Sequence, residues 1–143
     1  MKPTAVLELL GGPKSFPGKF ETVLDLVDLG ERGLTKASLQ ELANFLELST
    51  AQMARLLPIT ERTIQRRSRS ARLSRAVSDH LMEIACVAVR GIDTFGNKEK
   101  LLTWMQRPNV ALGNRKPMDL LASKLGIDLV IDELGRIEHG LVS

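Results

Sequence analysis

One stretch limits the fold more than any other. From Ala71 to Arg90, the residues Leu73, Val77, Leu81, Ile84 and Ala88 recur at three- and four-residue intervals and trace one face of a helix. Around IACVAV, residues 84–89, that helix is apolar on every side. A helix apolar all round is a buried helix, so this segment is expected to be covered on two faces, by another part of the same chain and by a second chain. The material for such a core is aliphatic. Aromatic residues make up only 3%, with no Tyr and one Trp, so Leu, Ile, Val, Ala and Met must fill it, which favours helix packing over a sandwich. The expectation is an all-α protein, and 143 residues suffice for one domain or for two small helical units.

The rest of the chain divides into shorter helical patterns. Residues 1–18, with GGP and FPG, hold many breakers and are expected to form a flexible arm or a loosely packed lead-in. Phe20, Val23, Leu24 and Val27 then fall at helical spacing, and Gly30 or Gly33 can end that helix. Ser38-Leu-Gln-Glu41 has the form of a capping box, followed by the stripe Leu39, Leu42, Ala43 and Leu46. Ser49-Thr50 can cap a shorter helix bearing Met53, Ala54 and Leu57, which Pro58 stops. Thr60 can cap a third, whose one strongly apolar residue in two turns is Ile64.

Beyond the long helix, Gly91 and Gly96 frame a short linker. KEKLLTWMQRP then supplies a helix with Leu101, Trp104 and Met105 inward, ended by Pro108. Residues 109–116 form a loop, and Pro117 opens a short helix that Gly126 can close. The final helix, IDLVIDEL, ends near Gly135 and leaves the remainder as a mobile tail.

Charge is concentrated in one place. The net charge of the chain is +3, yet Arg62, Arg66, Arg67, Arg69, Arg72 and Arg75 face only Glu61 within residues 61–75. Two short helices joined by a tight turn, the second polar and rich in Arg, form the layout of a helix-turn-helix reader of DNA. On that layout Arg62 lies on the helix that enters the major groove, and Thr63, Gln65 and Arg66 are the candidates for base edges, since Gln pairs with adenine and Arg with guanine. Arg67, Arg69 and Arg72 are expected to face phosphates, which contributes affinity and salt dependence. Pro58 stands where many such turns place Gly, so the turn must be built without a positive φ there.

Other chemistries find little support. Cys86 has no partner for an internal disulfide and reads as a small buried hydrophobe. One Cys and two distant His offer no metal-ligand spacing, no glycine-rich phosphate loop exists, and no nucleophile, base and stabiliser converge. The chain is therefore expected to be no enzyme and to need no cofactor. No apolar run reaches about 18 residues, and the N-terminus lacks a secretion signal, so a cytoplasmic protein without a membrane partner is expected.

The second half carries Phe95, Trp104, Pro108-Asn109, Ala111-Leu112-Gly113, Pro117, Asp119-Leu120-Leu121, Gly126, Val130 and the closing run from Leu134 to Gly140. This ordered series resembles the toxin-binding domain of Xre/MbcA/ParS-type antitoxins. The stretch from GLTKASLQ to TIQRRS resembles the Xre-like helix-turn-helix half of the same proteins, so the likeness spans roughly residues 20–141. Asn114 and Lys116 depart from the family, which often has Gly and a small hydroxyl residue there.

The resemblance implies an antitoxin of a RES-Xre type II toxin–antitoxin system. It implies residues 19–91 as the DNA-binding and dimerisation region and 92–143 as the toxin-binding domain. The implied partners are a RES-domain toxin that consumes NAD, operator DNA through which the operon is autorepressed, and a second copy, the homodimer joining the toxin in a larger hetero-oligomer. The segment implied to obstruct the toxin's active site is Arg136, Ile137, Glu138, His139, Gly140 and Leu141. A charged residue on either side of Ile137 suits such a plug, with charge-assisted bonds beside one apolar anchor. A stand-alone helix-turn-helix transcriptional regulator and a protein-binding adaptor are the alternatives.

Overall fold

The computed structural model describes residues 2–140, and among these the regular structure is helical. In chain order the helices are α1 (Pro3–Leu9), α2 (Val23–Arg32), α3 (Lys36–Phe45), α4 (Thr50–Arg55), α5 (Glu61–Arg66), α6 (Arg75–Phe95), α7 (Lys98–Met105), α8 (Pro117–Leu120) and α9 (Lys124–Gly140), with a 3-10 turn at Val110–Leu112. The chain divides into two compact units, Met1–Ala85 and Cys86–Ser143.

In the first unit the expected arm is instead the helix α1. Its breakers lie after it: Pro3 occupies the first turn, where its missing N–H costs nothing, and Gly11 and Gly12 take the positive φ values that end it. Val6, Leu7 and Leu10 are buried, and α1 packs on α2 and α3. Helix α2 turns a different face inward from the one its spacing suggested. Leu26 and Leu29 are buried, while Val23, Leu24 and Val27 are exposed. Gly30 lies inside α2, where the Asp79 carboxylate would have to shift to admit a side chain. The helix ends at Gly33, with φ of 92°.

Helix α3 starts one turn earlier than the capping pattern indicated. Thr35 is the N-cap, accepting from the Ser38 N–H at 3.2 Å, and Ser38 is buried. The other two free amides of that first turn are met by a strap, residues 67–73, laid across the helix start. Lys36 N–H donates to the Ala71 carbonyl (3.1 Å) and Ala37 N–H to the Arg69 carbonyl (2.9 Å). At its far end the Leu73 N–H donates to Leu34 (2.7 Å), and Ser78 Oγ accepts from the Leu34 N–H at 2.9 Å. Helix α3 closes in a Schellman arrangement with Glu47 at φ 58°: Leu48 N–H reaches the Ala43 carbonyl and Glu47 N–H that of Asn44.

The long helix runs through Gly91 to Phe95, and Gly96, at φ 93°, ends it. Gly91 is therefore no linker. It is glycine because the Leu101 side chain of α7 lies where a Cβ would sit. Five of the six IACVAV residues are buried within a single chain, and Cys86 is half-buried.

In the second unit Leu101 and Met105 are buried, and Trp104 is half-buried with its ring 5.4 Å from that of Phe95. Asn109 to Lys116 is a closed turn: the Asn109 carboxamide accepts from Ala111 N–H (2.9 Å), and Asn109 pairs with Arg115. Gly113 and Asn114 are both left-handed here, a conformation that Asn adopts more readily than most residues with a side chain. Gly126 lies inside α9 instead of closing α8, pressed against the Leu120 backbone. Gly135 likewise does not stop α9, which continues to Gly140 with Ile127, Val130 and Leu134 buried.

Candidate nucleic-acid and toxin interfaces

Helices α4 and α5 form the paired short helices that the sequence suggested, and they pack together. Each has its own cap. Ser49 and Gln52 make a reciprocal box on α4, and Thr60 accepts from the Thr63 N–H on α5 at 3.1 Å. The connecting turn has no positive φ; Leu57 N–H returns to Ala54 and Ile59 N–H to Leu57, so Pro58 fits without distortion.

Ile64 is fully buried and fixes how α5 is rotated. At about 100° per residue, Arg62 and Arg66 then lie nearly opposite the anchor, while Thr63 and Gln65 occupy the two flanks. Arg62, Gln65 and Arg66 are exposed. Thr63 is half-buried, its hydroxyl 2.8 Å from that of Thr60, so part of its bonding capacity is already used.

The other three arginines are on the strap and differ among themselves. Arg67 is exposed, its carbonyl accepting from Lys36 Nζ at 2.9 Å. Arg69 Nη1 donates to the Gln40 carboxamide at 2.9 Å. Arg72 Nη1 donates to the carbonyls of Gly33 (2.8 Å) and Arg32 (3.4 Å), covering the C-terminal end of α2. Arg72 thus has a structural role that the charge pattern did not reveal. Arg75 sits between Glu31 and Asp79, at 3.7 and 3.5 Å.

At the other end, Arg136, Ile137, Glu138, His139 and Gly140 are the last residues of α9, not a free tail; Leu141 lies outside the described residues. Ile137 is half-buried on the packed side. Arg136 Nε donates to Glu133 at 3.0 Å, with Nη2 on the same carboxylate oxygen. Glu138 faces the second half of α6, where the Thr94 hydroxyl donates to it at 2.5 Å and Arg90 lies 3.6 Å away. The Thr94 hydrogen bond and then the Arg90 charge hold the Glu138 carboxyl below its ordinary range. His139 is exposed. The sequence could not reveal Thr94 and Arg90 as partners, because they lie more than forty residues away on another helix.

No group of His, Cys, Asp and Glu able to hold a metal occurs among the described residues, and no helix there is long and apolar enough to cross a membrane.

Comparison with known proteins agrees with this two-part arrangement. Residues 25–85 match the antitoxin Xre-like helix-turn-helix domain, and residues 90–140 match the antitoxin Xre/MbcA/ParS C-terminal toxin-binding domain. An antitoxin Xre of Yersinia enterocolitica is 31% identical over 120 residues, 82% of this chain and 81% of that protein. An antitoxin Xre of Photorhabdus laumondii is 30% identical over 113 residues, 78% and 76% of the two chains. A chain in the crystal structure of the M. tuberculosis MbcT–MbcA toxin–antitoxin complex shares the fold, with a TM-score of 0.54 and 20% identity over 73% of this chain and 94% of that one. With both halves matched and relatives at this identity spanning most of its length, the chain belongs to the Xre family of antitoxins.

Proposed function

We propose that this antitoxin neutralises a RES-domain, NAD-consuming toxin by obstructing its active site with the end of α9, and represses its own operon through α5. The observation that carries the reading is the coexistence, in one chain, of an outward arginine pair on a capped helix and a C-terminal unit matched to a toxin-binding domain. On the DNA side, Arg62 and Arg66 project from α5, Gln65 offers a carboxamide to a base edge, and Arg67 and Arg69 supply phosphate contacts from the strap. Arg72 contributes to affinity chiefly by holding the strap in place, and Thr63 offers a methyl group and a shared hydroxyl.

On the toxin side the helical form of residues 136–140 makes the plug a helix end instead of a flexible string. A preformed helix loses less conformational freedom on docking than a disordered tail. Arg136 and His139 remain exposed to meet the toxin, while Glu138 and Ile137 keep the helix end seated. NAD chemistry belongs to the partner. Homodimerisation is supported by the exposed stripe Val23, Leu24 and Val27 on α2, which a second copy would cover.

Co-expression with its cognate toxin, proposed here to be a RES-domain protein, with and without deletion of residues 135–143, tests the reading. The full chain should co-purify with that protein and protect cells, whereas the truncated chain should still fold and bind its promoter but fail to protect. Protection by the truncated chain would refute the plug.

A further inference from the structure

The second unit exposes three large apolar side chains: Val110 at 84%, Leu125 at 73% and Leu129 at 46% of full exposure. Leu125 and Leu129 are one turn apart on α9, on the side opposite the buried Ile127, Val130 and Leu134. Following the same side along the helix at about 100° per residue brings Asp132 and then Arg136, both exposed. One continuous ridge therefore begins with leucines and ends in the segment assigned above to the toxin's active site. Its length from Leu125 to Arg136 is roughly 16 Å at the helical rise. Val110 stands on the 3-10 turn and is not part of this helical ridge.

Such a ridge is not explained by folding, since neither leucine side chain contributes to the core. We propose that Leu125 and Leu129 form a docking surface for the toxin, seated in an apolar depression beside the mouth of its active site. This rests on the toxin-neutralising reading above and adds to it a separate anchoring surface. Continuity selects this occupant: the ridge and the helix end share one face of one helix, and all of it lies within the matched residues 90–140. A toxin surface lying along this face of α9 would meet the ridge as well as the helix end. The apolar start would supply most of the residence time and the charged end the obstruction, since buried apolar anchors govern dissociation more than encounter.

The test measures binding of the full chain to an inactive form of the RES-domain toxin proposed above. The wild type, Leu125→Ser/Leu129→Ser and the conservative Leu125→Met/Leu129→Met are compared. The double serine variant should bind roughly 100-fold more weakly, mainly through faster dissociation, with the methionine pair close to wild type. Its helix content, melting temperature and promoter binding should match wild type, because the replaced side chains are exposed. Wild-type affinity in the double serine variant, while deletion of residues 135–143 abolishes neutralisation, would overturn the ridge and leave the plug standing. If the wild-type chain itself does not bind that protein, both ideas fall.

Discussion

Nη1 of Arg72 lies 2.8 Å from the carbonyl oxygen of Gly33 and donates to it, so the basic strap is fastened to the end of α2 by one of its own arginines. This cation sits where the carbonyls of a helix terminus are otherwise unmet, which is the favourable end for positive charge. Replacing it with alanine should therefore affect folding as well as DNA. We expect Arg72→Ala to lower stability by about 1 kcal/mol in urea unfolding, the worth of one partly exposed hydrogen bond to a charged group. Promoter affinity should fall for all sequences alike.

Arg62 and Arg66 should behave in the opposite way. Neither side chain has a hydrogen-bond or ion-pair partner among the described residues, so alanine at either position should leave the unfolding free energy within about 0.5 kcal/mol of wild type. Anisotropy titrations with the promoter over a range of salt should show weaker binding. A side chain that meets a phosphate lowers the salt slope by about one, whereas one that reads a base edge relaxes sequence choice at that position.

Ser78 gives a sharper test of the packing. Its hydroxyl, fully buried, accepts from the Leu34 N–H at 2.9 Å and lies 3.4 Å from the Leu73 carbonyl, to which it donates. Ser78→Ala strands a buried amide, for which the cost is about 1–3 kcal/mol. Equilibrium unfolding should register that loss, and a change within error would mean that the amide finds another acceptor.

Acid should loosen the end of α9. The Glu138 carboxyl is held below its ordinary value of 4.5 by the Thr94 hydrogen bond and by Arg90. A carboxylate whose folded pKa is depressed adds stability above the unfolded value, and that contribution disappears as pH falls through the folded value. Amide protection of residues 136–140 should accordingly decline as pH drops below 4.5. Glu138→Gln should remove this pH dependence, and an unchanged acid profile in that variant would assign the loosening to another group.

Much of this organisation is legible from residue spacing. Ser49, Thr60 and Pro117 start helices where they were expected to, and Ile64 is the one-point anchor that its isolation on a polar helix implied. The failures have a common physical origin in breakers and in competing stripes. Gly91, Gly126 and Gly135 lie inside helices, and at the first two a neighbouring Leu101 side chain or Leu120 backbone occupies the space a side chain would need. Local sequence shows a helix-weakening residue but not the neighbour that demands it. In α2 the apolar residues occupy two adjacent faces, Val23, Leu24 and Val27 on one and Leu26 and Leu29 on the other, and only tertiary packing selects between them. For the sites, charge density located the arginines but could not separate the free pair on α5 from Arg72, because its partner is a backbone carbonyl almost forty residues upstream.

The strap's carbonyls also complete the first turn of α3, and this bears on thermodynamics as well as geometry. A cationic loop whose peptide groups are already engaged arrives at an anionic polymer with its shape decided. Ordering the loop is then part of folding rather than of association, so promoter recognition should show none of the large negative heat-capacity change that marks a segment folding as it binds.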